Sequence, residues 1–84
     1  MARPSRPLIS QVLEELLEAR HWSGRELHRR LRAAGHRLSY QAVNNWIRGV
    51  RSPSPDMADA LVRVFELDQR QANRLYAATT EGDA

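Results

Sequence analysis

Gln41, Asn44, Asn45 and Arg48 are the side chains in this sequence whose types and spacing most clearly suggest chemistry. On a helix turning about 100° per residue, the four fall inside one arc of roughly 100°. Tyr40, Val43, Trp46 and Ile47 take the opposite side. An amide side chain presents a donor beside an acceptor, which matches adenine N6 and N7, and a guanidinium matches guanine O6 and N7 in the same way. A helix fits the major groove in which those edges are displayed. The bland reading is an ordinary solvent-facing surface. Such surfaces are usually rich in Glu, Lys and Arg, and asparagine is a poor helix former that needs another reason to occur twice in succession. The pattern favours base readout.

Other chemistries lack their residues. The chain has no cysteine, which removes a disulfide framework, a thiolate zinc site and a catalytic thiol together. His21, His28 and His36 contain no i, i+4 pair and have no acid cluster beside them, so they read as polar surface residues rather than metal ligands. Gly24, Gly35, Gly49 and Gly82 stand singly, which excludes a glycine-rich phosphate loop. No serine has a base and acid partner set for nucleophilic attack. A chain of 84 residues also leaves little concave surface once its own core is buried. One domain without catalytic residues, metal or cofactor is expected, and an enzyme is not. No apolar run has the length of a signal peptide core or a membrane span, so the expected location is cytoplasmic and nucleoid-associated.

Charge is distributed unevenly. All thirteen basic residues are arginine, and eight of them lie between Arg20 and Pro53 against the single acid Glu26, whereas both flanks are net acidic. A local positive potential of this kind attracts a polyanion. The alternative is a solvated helix surface whose arginines reflect a GC-rich coding sequence.

The elements that must position these groups are helical throughout. No segment alternates apolar and polar residues over strand length, and Ala, Leu, Arg and Glu dominate. Leu8, Ile9, Val12, Leu13, Leu16 and Leu17 form the stripe of a first helix, with Glu14, Glu15 and Glu18 opposite. Ser23 to Glu26 has the form of a reciprocal capping box opening a second helix, with Leu27, Leu31 and Ala34 inward and Gly35 as its stop. Ser39 caps a third helix that runs through Arg48 to Gly49. Ser54 caps a fourth with Pro55 at its first position and Met57, Leu61, Val64 and Phe65 on its buried side. Asp68 with Gln71 opens a fifth that carries Ala72, Leu75 and Tyr76. The expected organisation is an arm over residues 1–7, a helical domain over 8–78 and a tail over 79–84. Arg3 and Arg6 of the arm could reach a minor groove, with a disordered tail as the alternative.

The ordered set of a capped second helix, a turn, Ser39-Tyr40-Gln41-Ala42-Val43-Asn44-Asn45-Trp46-Ile47-Arg48-Gly49, a Pro/Ser linker and an apolar fourth helix resembles the Cro/CI-type (XRE-like) helix-turn-helix of bacterial and phage repressors. The resemblance covers about residues 10–76. It implies an all-α, compact five-helix, lambda-repressor-like domain that binds double-stranded DNA as a transcriptional regulator, probing the major groove with helix 39–48. Carried onto matching positions, it makes Tyr40, Gln41, Asn44 and Asn45 base readers. Ser23, Gly24, Arg25 and Ser39 lie where members hold the DNA backbone, and Arg48 and Arg51 would grip phosphates. For Tyr40, core packing is an equal alternative, because it borders the apolar arc. Two departures stand out: Ile47 replaces a glutamate that often pairs with a first-helix arginine, and the stretch from Leu27 to Ser39 is about a helical turn longer than in compact members. Specificity generally needs two copies on neighbouring half-sites, which implies a homodimer. Leu75 and Tyr76 on the fifth helix are the candidate self-contact, with closure of the monomer core as the competing role. A protein-interaction module, such as an antitoxin or a polymerase-associated co-regulator with a protein partner, is the rival reading. Non-specific nucleoid or RNA binding by the arginines alone is a third.

Overall fold

Side-chain caps decide where four of the five helices begin in the computed structural model, which describes residues 7–81. The helices are α1 (Leu8–Arg20), α2 (Gly24–Ala33), α3 (Tyr40–Arg48), α4 (Pro55–Phe65) and α5 (Gln69–Glu81), and no strand occurs among the described residues. Ser23, Ser39 and Ser54 accept from the backbone N–H groups of Glu26, Ala42 and Met57 at 3.1, 3.2 and 3.3 Å. Each thereby satisfies an amide that the first helical turn leaves without a partner. At α5 the box is reciprocal: Gln71 N–H donates to Asp68 Oδ1 at 2.8 Å and Asp68 N–H donates to Gln71 Oε1 at 3.4 Å. At α2 only the serine half forms. The Glu26 carboxylate accepts instead from Arg29 at 2.7 Å and Arg30 at 2.8 Å, because charge-assisted bonds from two arginines outcompete one neutral amide.

The stripe of α1 is the centre of the core. It packs against α3 and α5, while α2 packs on α3 and α4, and α4 on α5. Leu13, Leu27, Leu31, Val43, Leu61 and Phe65 are fully buried where these helices meet. Met57 and Val64, expected on the inner side of α4, are only half-buried, and Ala34 is exposed. The last follows from the end of α2: Ala34 is its C-cap, and Gly35 turns the chain outward at φ +98°.

Helix α5 closes the monomer. Leu75 is fully buried and therefore unavailable as a self-contact; Tyr76 is 36% exposed and donates its phenol to Asp59 Oδ1 at 2.5 Å. The helix also runs past residue 78 to Glu81, with Thr79 buried, so residues 79–81 are helical rather than tail. Residues 1–6, which include Arg3 and Arg6, and residues 82–84 lie outside the described residues.

Trp22, in the α1–α2 turn, is a packing element with no helical periodicity to announce it. Its ring stacks on Phe65 at 5.2 Å between centroids, and the Arg30 guanidinium lies 4.1 Å from its centroid. Arg20 sits over the Phe65 ring at 5.4 Å and donates to the Phe65 carbonyl. Stacked cations of this kind contribute about 0.5–2 kcal/mol each.

The exposed polar links make stability depend on pH at both ends. Hydrogen bonds from Arg74 hold the Glu15 carboxyl below its ordinary range, and those from Arg29 do the same for Glu26. Their contribution is present at neutral pH and is lost as pH falls through the lowered values. Tyr76 runs the other way. Its hydrogen bond to Asp59 raises the phenol, so that contribution is complete below the ordinary phenol range and is lost as pH rises through the raised value. Tyr76→Phe is expected to flatten the alkaline arm of a urea-stability profile and leave the acid arm unchanged. An alkaline arm identical to that of the wild type would refute the link.

Candidate nucleic-acid interface

Helix α3 is held firmly from behind. Val43 and Trp46 are buried, the tryptophan at 6% exposure, and Ser10 of α1 donates its hydroxyl to the Ile47 carbonyl at 2.5 Å. Ile47 is half-buried and packs on the first turn of α2, where a Cβ added to Gly24 would lie 2.9 Å from Ile47 Cδ1. An apolar contact thus fixes this position of the helix. Gly49 ends the helix in the left-handed region at φ +78°, and its N–H bonds to the Trp46 carbonyl at 3.1 Å.

The front carries the expected polar set. Gln41 and Arg48 are exposed, and Asn44 and Asn45 are half-exposed. Gln41 Nε2 donates to Asn45 Oδ1 at 3.1 Å, so the Gln41 carbonyl oxygen and the Asn45 NH2 lack a side-chain partner among the described residues. An acceptor and a donor on successive turns are therefore available together.

Tyr40 lies elsewhere. It is half-buried against α2, with the Arg25 guanidinium 4.4 Å from its ring centroid and the His28 ring edge-on at 6.0 Å. Its ring carbon Cε1 and its phenol oxygen would each be 3.6 Å from a Cβ at Gly24. His28 has a structural task that its sequence context does not show. Its Nε2–H donates to the Leu38 carbonyl at 2.9 Å and pins the long α2–α3 connection to α2.

Ser23 and Ser39 are both engaged as caps, Gly24 is the first residue of α2, and Arg25 is exposed. Beyond α3 the chain folds back, with the N–H groups of Val50 and Arg51 bonding the Asn45 carbonyl at 2.9 and 3.3 Å. This turn presents the Arg51 side chain and leaves Val50 60% exposed. The only hint of Val50 is an aliphatic residue in a turn, outside every helical stripe. Not all of the basic segment is available to an anion, because Arg20, Arg29 and Arg30 are bound to Phe65 or Glu26. Arg32, Arg37, Arg48 and Arg51 are exposed and have no ion pair among the described residues. No group of three or more His, Cys, Asp or Glu placed to hold a metal occurs among them, and none of the helices is long and apolar enough to cross a membrane.

Residues 13–68 match the helix-turn-helix family HTH_3, and the chain belongs to that family. No curated protein and no solved structure matches the chain. Family and architecture agree: this is an XRE-like helix-turn-helix protein with the all-α, lambda-repressor-like fold, of a class that binds DNA and regulates transcription.

Proposed function

We propose that the protein is a sequence-specific repressor that lays helix 39–48 in the major groove of duplex DNA and acts by occupying its operator, with no catalytic step. Gln41, Asn44 and Asn45 read base edges, Arg48 and Arg51 hold phosphates, and the start of α2 around Ser23, Gly24 and Arg25 rests on the backbone. The observation carrying this reading is the division of α3 into a back locked by Val43 and Trp46 and an amide front that keeps the Gln41 oxygen and the Asn45 NH2 open. An amide front adds little to stability, and its hydrogen-bonding pattern suits base edges. Two copies on half-sites about one helical turn apart would supply the necessary specificity.

Binding to a duplex selected from a random pool, and to random duplex across salt concentrations, tests the assignment. Asn45→Ala is expected to cost about 1–3 kcal/mol on the selected site alone. Arg51→Ala should weaken binding to every sequence and flatten the salt slope by about one unit. If both substitutions act alike on all duplexes, base readout is wrong.

A further inference from the structure

We infer that Tyr40 is a DNA-backbone residue that completes a phosphate grip with Arg25 and does not read bases; the inference rests on the DNA-binding reading above. The first exposed position of a recognition helix would ordinarily aim into the groove. Here three contacts draw the ring off that line. The Arg25 guanidinium covers it at 4.4 Å, the His28 edge meets it at 6.0 Å, and its phenol lies beside Gly24 at the start of α2. His28 is itself fixed by its bond to the Leu38 carbonyl, so the ring is held by α2 and by the connection as well as by α3.

The consequence is a paired donor. The phenol hydroxyl has no hydrogen-bond partner among the described residues, and the guanidinium 4.4 Å from its ring centroid belongs to Arg25, the exposed cation of the first turn of α2. A neutral O–H beside a guanidinium is suited to a phosphodiester oxygen, which accepts from both, whereas a base edge would require the ring to leave its stack. The stack also restrains Arg25, so less side-chain freedom is lost when the phosphate is engaged. The amide front of α3 then reads bases from a register set in part by this grip.

The test uses the full chain, the selected duplex, all its single-base variants and a random duplex, with affinity measured by fluorescence anisotropy over a range of KCl. Tyr40→Phe keeps the ring and removes only the hydroxyl. It is expected to lower affinity about tenfold on every duplex, leaving the order of base preferences and the salt slope as in the wild type. Arg25→Gln should also weaken every duplex and, unlike Tyr40→Phe, flatten the slope by about one unit. A changed preference at one base pair in Tyr40→Phe would make Tyr40 a base reader and overturn the proposal, as would affinity unchanged on all duplexes. If the wild type itself binds every duplex alike, readout by α3 fails, whereas a uniform loss in Tyr40→Phe still supports the backbone role.

Discussion

Phe65→Ala is expected to lose a large share of the chain's folding stability. The side chain is fully buried at the end of α4, stacked on Trp22, with Arg20 over its ring and bonded to its carbonyl. Truncating a buried phenylalanine costs about 3–5 kcal/mol. At about 0.05–0.15 kcal/mol per residue an 84-residue domain carries roughly 4–13 kcal/mol, so the loss takes at least about a quarter of it and, at the low end, nearly all. Phe65→Leu retains much of the volume and should remain folded with a lowered urea midpoint. Circular dichroism during urea titration separates the two outcomes. A midpoint for Phe65→Ala near that of the wild type would show that the Trp22 stack is not part of the cooperative core.

The second large effect is at Gly49. Alanine there must adopt φ +78°, and its Cβ would lie 2.8 Å from Cγ of the Pro7 ring. The left-handed conformation costs about 1–2 kcal/mol, and forcing a methyl against a stiff ring costs about 1–3 kcal/mol more. Gly35 provides the control. It also has positive φ, at +98°, but a Cβ there meets nothing within 4 Å, so Gly35→Ala should show the backbone cost alone. Gly49→Ala should therefore be the more damaging in urea titrations. It should also weaken binding to all duplexes, because the same turn presents Arg51. Equal losses at the two glycines would remove Pro7 from the explanation.

Much of the frame is legible in the residues because it depends on local rules. Ser23, Ser39 and Ser54 cap their helices through hydroxyls that any chain places three residues before a free amide. The apolar back of α3 follows from periodicity, as does the stripe of α1. The rest depends on distance in space. Glu26 sits at the right spacing for its half of a capping box, and only the fold of α2 shows two arginines taking its carboxylate. Trp22 has no periodic partner, and its stack with Phe65 joins positions far apart in the chain. The direction of the Tyr40 ring is set by Arg25 and His28 on another helix, which no pattern within α3 encodes. Leu75 and Tyr76 are neighbours in one apolar strip, yet the turn of the helix sends the first into the core and the second to Asp59.

The carboxylate of Glu26 bears on discrimination against the chromosome as a whole. Every stretch of duplex offers the same phosphates, so each unpaired cation raises attachment to competitor sequence along with attachment to the target. By pairing with both Arg29 and Arg30, this one acid offsets one of their two charges and so limits an attraction that carries no sequence information. On the proposed reading, a larger share of the contrast between correct and incorrect sites is then left to the amide groups of α3.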